Sequence, residues 1–328
     1  MRKLLQLCSS LLTVSFTINT VFAAPFLVRF PQGGPSQVIA DDFPDPAFVK
    51  PGLLWYAFGS NAYGRRIQVA KSLDFKHWDV LDTDALASLA PWETEVDHWA
   101  PDVIERDDGR LVMYYSGEAK AFIRHHCVGA AISEGRDPAG PYHPLEQPFA
   151  CHLDKGGAID PAGFLDQDKS RWVVYKVDGN SVGNGGDCNN AIHPLVATPI
   201  YLQKVEGDGV TKVGEPIAIL DRDETAGPLV EAPSLILSPE GVYFLFYSTH
   251  CYTSPKYDVR YATSRSITGP YVKAKESLIK TGDFGLTSPG GATVAGDGKR
   301  ILFHANCPAG RCMYASDLDL QGETARIV

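Results

Sequence analysis

Five strand-like runs recur along the chain, and this repeat constrains the fold more than any other feature. One marker residue from each run defines the spacing, namely Trp55, Met113, Trp172, Phe244 and Leu302, at intervals of 58, 59, 72 and 58 residues. Each run is rich in aromatic and β-branched residues, and most runs follow a turn that contains Gly. A second short strand-like segment follows each run. Units of this length predict an all-β chain that folds as a five-bladed β-propeller, a single domain of four-stranded blades.

The composition supports a globular body. Of 328 residues, 44% are hydrophobic and 21% are charged, so the chain can bury a full core. The 31 Gly and 23 Pro supply the turns that many short strands require. The formal net charge of −9 offers no basic surface for nucleic acid or for an anionic membrane.

The first residues have the pattern of a secretory signal. Arg2 and Lys3 precede an apolar stretch over residues 4–22, and small residues at Val21 and Ala23 suit a signal peptidase. We therefore expect a signal peptide over residues 1–23, a propeller over residues 24–328, and secretion. A buried first helix or a membrane anchor is the alternative, and no other stretch is long enough to span a bilayer.

Six cysteines follow residue 23, and an even number in a secreted protein predicts disulfides. Six cysteines allow fifteen pairings. Cys307 and Cys312 flank a four-residue turn, which favours a bond between them. Cys127 with Cys151 and Cys188 with Cys251 are the other expected pairs. The spacing does not suit a zinc site, because no C-x-x-C pair is present.

A short segment with an acidic residue beside a Pro or a small residue precedes each of the first four runs. The acidic residues are Asp45, Asp102, Asp160 and Glu231. If each segment opens the innermost strand of its blade, all four carboxylates face the axis at one end. Each could be an ordinary turn residue. Four converging acids instead suggest glycosidic bond cleavage, where one carboxyl protonates the leaving oxygen and another activates water.

The same segments resemble glycoside hydrolase family 43. The resemblance rests on Asp45-Pro46, Trp99-Ala100-Pro101-Asp102, Asp160-Pro161, Glu231-Ala232-Pro233-Ser234 and Tyr261-Ala262-Thr263-Ser264, and it covers nearly all of residues 24–328. It implies a five-bladed propeller that cleaves α-L-arabinofuranosyl or β-D-xylosyl bonds with inversion. It also implies that Asp45 is the general base, that Glu231 is the general acid, and that Asp160 orients Glu231 and keeps it protonated. Asp42 is a rival base that falls outside the repeated position.

Further residues are candidates for contact with a sugar. Phe43 and Trp99 could stack on sugar faces, whereas His98, His250 and Arg260 could bind hydroxyl groups, and Asp102 is the fourth acid of the set. For the aromatic residues, packing in the core is an equal alternative. The Gly-rich stretch over residues 178–187 lengthens the third unit and forms either a cleft rim or a plain surface loop.

No cofactor is expected. Many members of the family carry a His after the Pro-Gly of the fifth blade, where it helps to hold a cation or water on the axis. This chain has Gly291 at that point, so a structural Ca²⁺ is not expected, and His304 is expected to pack in the core. Chelation should then leave the melting temperature unchanged.

The predicted function is hydrolysis of α-L-arabinofuranosyl bonds in arabinan or in arabinose-substituted plant cell-wall polysaccharide, by a secreted monomer. A β-D-xylosidase or a bifunctional xylosidase and arabinofuranosidase is the alternative enzyme. A non-catalytic carbohydrate-binding propeller is the alternative of another class, because a fold does not fix a function.

Overall fold

The computed structural model describes residues 33–328, so the predicted signal peptide lies outside the described residues. Five antiparallel sheets follow one another along the chain. The first strand is β1 (Ser36–Ile39). Blade I contains β2 (Ala47–Val49), β3 (Trp55–Gly59), β4 (Gln68–Ser72) and β5 (Asp79–Val80). Blade II contains β6 (Trp99–Glu105), β7 (Leu111–Glu118), β8 (His126–Ser133) and β9 (Tyr142–Pro144).

The remaining blades repeat this plan. Blade III contains β10 (Ala158–Leu165), β11 (Arg171–Val177), β12 (Ile200–Val205) and β13 (Lys212–Leu220). Blade IV contains β14 (Val230–Leu237), β15 (Tyr243–Thr249), β16 (Asp258–Ser264), β17 (Val272–Lys273) and β18 (Ile279–Lys280). Blade V contains β19 (Gly290–Val294), β20 (Arg300–Cys307), β21 (Gly310–Gln321) and β22 (Thr324–Ile327). Short 3₁₀ turns lie at Leu153–Lys155, Gly179–Val182, Asp187–Asn189, Glu224–Ala226 and Asp283–Gly285.

The predicted five-bladed propeller is confirmed. The five strand-like runs of the sequence form the second strands β3, β7, β11, β15 and β20. Five clusters of buried side chains each join two neighbouring blades, including the pair formed by blades V and I. The core of the molecule is therefore divided among the five blade interfaces.

The sequence repeat did not predict how the ring closes. Strand β1 pairs antiparallel with β21, so residues from the start of the described chain supply the outer strand of the last blade. Backbone groups along this edge are thereby paired. Closure joins segments nearly three hundred residues apart.

All three expected disulfides are present, namely Cys127–Cys151, Cys188–Cys251 and Cys307–Cys312. Cys188 lies in the long connection between β11 and β12, which accounts for the larger third interval. Its bond to Cys251 ties that connection to blade IV. A small hairpin bond and a long-range bond thus coexist in one chain.

The two kinds of bond should differ in their contribution to stability. Cys188 and Cys251 are 63 residues apart and Cys307 and Cys312 only 5, so the longer loop loses more entropy in the unfolded chain. We expect C188S/C251S to lower the free energy of unfolding by about 4 kcal/mol and C307S/C312S by about 2 kcal/mol. Urea denaturation of the two double variants measures this, and equal losses would contradict it.

Candidate active site

A cleft of about 790 Å³ lies at the end of the axis where the innermost strands begin. Three of the predicted catalytic residues line it: Asp45 of blade I, Asp160 of blade III and Glu231 of blade IV. These residues are far apart in sequence and meet because each lies where an inner strand reaches the axis. The structure thus brings together the set that was predicted from the sequence.

A left-handed backbone residue marks the same place in every blade. These residues are Asp45, Ala100, Asp160, Ala232 and Gly291, with φ between 43° and 58°. The strand pairing shifts register here in blades II to V, as at a β-bulge. Such bulges redirect side chains at functional sites. This conformation costs a residue other than Gly about 1–2 kcal/mol. Four of the five residues are not Gly and still adopt it, so the left-handed residue is a repeated element of the blade geometry.

This alignment corrects the prediction that all four carboxylates face the axis at one end. Asp45 and Asp160 are equivalent, whereas Glu231 precedes the left-handed residue of its blade by one position. Asp102 follows its own by two positions, about 7 Å further along the strand. Asp102 does not line the cleft. It lies buried on the axis, accepts the Gly163 N–H at 2.7 Å, and borders a second cavity of about 620 Å³ at the opposite end.

The surroundings of Asp45 favour its ionised form. Burial alone would raise the pKa of Asp45, but the Arg311 guanidinium and the Ser60 hydroxyl hold it well below its usual range. The Arg311 guanidinium lies 3.2 Å from Asp45 Oδ1, and the Ser60 hydroxyl donates to Oδ2 at 2.6 Å. A carboxylate that stays ionised is ready to accept a proton from water.

The surroundings of Asp160 have the opposite effect. Burial, reinforced by the charge of Glu231, raises the pKa of Asp160 to about 8, and the Lys176 ammonium partly opposes this rise. Asp160 Oδ2 also accepts the Ala232 N–H at 2.9 Å, which ties the third blade to the residue after Glu231. Two close carboxyls in a buried site retain a proton at neutral pH, and they titrate as a pair. The site thus holds one ionised carboxylate and one protonated carboxyl pair.

The other predicted sugar contacts divide between the cleft and the core. Trp99 lines the cleft, and its ring lies 3.9 Å from that of His126. Phe43 and His98 are fully buried, so neither offers a face or a ring nitrogen to a sugar. Phe43 fills the space beside Gly59, and His98 packs near Glu93.

His250 and Arg260 also lie outside the cleft lining. His250 packs against Gly227 and contacts the Thr249 hydroxyl at 2.9 Å. Arg260 donates to Asp258 at 2.9 Å on β16, the third strand from the axis. The prediction that these two residues bind hydroxyls is not supported by their placement.

Arg311, and not Arg260, places a guanidinium group in the cleft. It lies on β21, beside Asp45, and its guanidinium lies 5.0 Å from the centre of the Tyr252 ring. Both residues line the cleft. The predicted Cys307–Cys312 hairpin could have indicated Arg311, because it places an Arg in a rigid turn next to the fifth blade's inner strand.

His304 is buried, as expected from the sequence, and also contacts the predicted base. Its Nδ1 accepts the Asp45 N–H at 3.0 Å, and its ring stacks on Tyr257. Burial lowers the pKa of His304, so the ring is neutral and its proton lies on Nε2. A Cβ at Gly291 would come within 2.7 Å of this ring, so a larger residue does not fit there.

The sequence raised the question of a structural Ca²⁺ on the axis. Ca²⁺ takes six to eight oxygen ligands. Within residues 33–328, no group of three or more His, Cys, Asp or Glu residues is arranged to hold a metal ion. The absence of a required cofactor stays a prediction, to be tested by melting the protein with and without chelator.

The model of glycosyl hydrolases family 43 matches residues 35–327. This chain belongs to that family. The match includes all five blades and the three acids of the cleft. The resemblance predicted from the sequence is therefore confirmed.

Known relatives of this family 43 chain include two arabinanases. It is 28% identical over 278 residues to the extracellular endo-α-(1→5)-L-arabinanase 1 of Bacillus subtilis, covering 80% of this chain and 79% of that protein. It is 26% identical over 275 residues to the extracellular endo-α-(1→5)-L-arabinanase of Thermotoga petrophila. That match covers 71% of this chain but 53% of the relative, so the chain spans about half that protein's length.

The fold has close counterparts among solved structures. The crystal structure of a thermostable family-43 glycoside hydrolase superposes with a TM-score of 0.73 and 24% identity, covering 87% of this chain and 92% of the other. At this identity the likeness describes the fold. It agrees with the five-bladed arrangement seen here.

Two further residues of the cleft were not predicted from the sequence. Lys176 and Asp178 lie at the end of β11 and line the cleft beside Glu231. Lys176 directly follows four consecutive large side chains of a buried strand. A charged residue at such a position is unusual and could have indicated the site.

Proposed function

We propose that this chain is an inverting glycoside hydrolase that cleaves α-1,5-L-arabinofuranosyl bonds in arabinan. The observation that carries the proposal is the convergence of Asp45, Asp160 and Glu231 on one cleft, in surroundings that favour an ionised Asp45 and a protonated Asp160. An inverting enzyme needs such a base and such an acid at the same pH. The two arabinanase relatives support arabinan as the substrate.

In this mechanism Asp45 accepts a proton from a water molecule, and that water attacks the anomeric carbon. Glu231 donates its proton to the oxygen of the leaving sugar, so the glycosidic bond breaks as the new bond forms. Asp160 holds the backbone beside Glu231 and shares its proton. Arg311 keeps Asp45 ionised and oriented within the cleft.

We also propose that the protein is secreted. The pattern over residues 1–23, the three disulfides and the extracellular relatives support this location. Within residues 33–328, the structure contains no helix long and apolar enough to cross a bilayer. Action as a monomer on plant cell-wall polysaccharide remains part of this proposal.

A substrate panel tests the proposed function. Linear arabinan, arabinoxylan, nitrophenyl α-L-arabinofuranoside and nitrophenyl β-D-xyloside are each incubated with the protein, and the first product anomer is read by NMR. We expect hydrolysis of arabinan with release of the β-anomer. A retained anomer would overturn the mechanism, activity on the xyloside alone would indicate a xylosidase, and inactivity on all four would favour a binding propeller.

The pH dependence of kcat/KM should follow the two protonation states. Loss of the proton from the Asp160 and Glu231 pair should reduce the rate as the pH rises through about 8, because the pair can then no longer protonate the leaving group. The acid limb should lie below about pH 4, because the pKa of Asp45 is held below its usual range. Rates on arabinan between pH 3.5 and 9.5 measure the basic limb and show whether activity persists down to pH 4. A decline already complete by pH 6.5 would contradict this assignment.

A further inference from the structure

One position in the second strand of each blade, or directly after that strand in blade I, is equivalent in all five blades. The residues are Ser60, Ser116, Lys176, Ser248 and His304. In blades II to V, each pairs with the residue just before the left-handed residue of its own inner strand. In blade I the Ser60 N–H donates to the Pro44 carbonyl at the same place. The structure therefore permits a direct comparison of five sites with one backbone geometry.

In four blades this residue ties its blade to the next one. Its side chain accepts the backbone N–H of the next blade's left-handed residue. The bonds run from Ala100 to Ser60 at 2.9 Å, from Asp160 to Ser116 at 3.0 Å, from Gly291 to Ser248 at 3.0 Å, and from Asp45 to His304 at 3.0 Å. The repeated role is thus that of a hydrogen-bond acceptor.

Blade III departs from this rule. Lys176 has an ammonium group, which donates hydrogen bonds and cannot accept one. The N–H of Ala232, which a serine would bind, instead donates to Asp160 at 2.9 Å. The acceptor role has therefore passed to the carboxylate of Asp160, and Lys176 does not perform the structural task of its counterparts.

The surroundings of Lys176 show what the ammonium contacts. Its side chain is 1% exposed, and Nζ lies 3.2 Å from Glu231 Oε2 and 3.1 Å from Asp178 Oδ1. Asp160 is the third carboxylate that acts on it. A buried cation is costly unless it is paired, whereas the serine found in three other blades carries no such cost. A structural role alone does not account for a lysine here.

We propose that Lys176 is a positioning residue for the acid pair, which offsets the second negative charge that Asp160 and Glu231 hold once the proton has been donated. This inference rests on the proposed function and extends it. Before donation, the pair carries one negative charge and Lys176 balances it. After donation the pair carries two, and the adjacent ammonium stabilises that state in a site of low dielectric.

The other charges around the pair are consistent with this role. Asp178 also contacts the Lys176 ammonium and so reduces the effect of this positive charge on Glu231. Asp45 also raises the pKa of Asp160, and Arg311 lies beside Asp45 and compensates its charge. Burial would lower the pKa of Lys176, but Asp178, Glu231 and Asp160 raise it, so the group stays charged. Among residues 33–328, Lys176 is thus the cation in contact with Glu231.

Carboxyl titration of the free protein, followed by ¹³C NMR, tests the proposal without a substrate. Lys176→Ser restores the residue of the repeat, and Lys176→Met keeps the side-chain volume. We expect both to move the titration of the Asp160 and Glu231 pair upward by about one pH unit or more, which is a tenfold change in proton affinity. Signals are assigned from the Asp160→Asn and Glu231→Gln proteins.

Asp178→Asn should move the same titration downward, because it removes the second carboxylate that contacts Lys176 and so strengthens the interaction of the ammonium with Glu231. Opposite signs distinguish a charge effect from a loss of packing. Lys204→Met, an exposed lysine on β12 of the same blade, is the matched control and should change nothing. If both Lys176 variants leave the titration unchanged while circular dichroism shows a native fold, the proposal is wrong.

Kinetics add a second readout. Lys176→Met should reduce turnover of arabinan more than turnover of 2,4-dinitrophenyl α-L-arabinofuranoside, whose leaving group needs little protonation. An equal reduction on both substrates would contradict the proposal. If the unaltered protein hydrolyses neither, the proposed function fails, and the NMR titration still decides whether Lys176 controls the pair.

Discussion

Asp45→Asn should reduce turnover of arabinan by about 10²–10⁴-fold, the range expected for loss of a general base. Asparagine has nearly the same shape and still accepts the Ser60 hydroxyl, but its amide cannot take a proton from water. KM should change little, because substrate contacts elsewhere in the cleft remain. Initial rates on linear arabinan, with circular dichroism to confirm the fold, measure the effect.

A matched control for this variant is Asp79→Asn, on the exposed outer strand β5 of the same blade. It makes the same chemical change far from the cleft and should retain full activity. Substitution of Asp42, the rival base, should also spare most activity. Its carboxylate accepts the Arg311 backbone N–H at 2.7 Å, and it is not among the residues of the cleft lining. Turnover near that of the unaltered protein in Asp45→Asn would refute the assignment.

Glu231→Gln should also reduce turnover of arabinan by about 10²–10⁴-fold, but the loss should depend on the leaving group. A sugar alkoxide is a poor leaving group and needs the proton that glutamine cannot supply. Dinitrophenolate leaves without assistance, so the dinitrophenyl arabinofuranoside should lose far less of its rate. The basic limb of the pH profile should disappear with the acid. Rates for a series of aryl arabinofuranosides measure this dependence.

Glu215→Gln on the exposed outer strand β13 is the control, and its rates should match those of the unaltered protein for every aryl substrate. A uniform loss in Glu231→Gln across the series would show that Glu231 binds or orients substrate without donating the proton. Asp45→Asn should give such a uniform loss, because attack by water is needed whatever group leaves. The two variants therefore separate the two roles.

Membership of family 43 supplies the reaction on which these predictions rest, whereas the structure shows which of the candidate residues line the cleft. Phe43, His98, His250 and Arg260 were candidates because of their residue types. Phe43 and His98 are buried in the core, whereas His250 packs against Gly227 and Arg260 pairs with Asp258 outside the cleft lining. Arg311 on β21 and Lys176 on β11 line the cleft.

The sequence by itself determined the blade number, the second strands, the disulfide partners and three cleft acids. These features depend on residue types over short stretches, which set strand propensity, turns and loop closure locally. Only the tertiary structure decided which side chains meet. Asp102 lies two residues beyond the left-handed residue of its blade, so it is buried on the axis and does not line the cleft. Pairing of β1 with β21 closes the ring. The replacement of the repeated hydrogen-bond acceptor by Lys176 could be recognised only by comparing the five blades in space. Register and contact between blades depend on residues distant in sequence, and no local pattern encodes them.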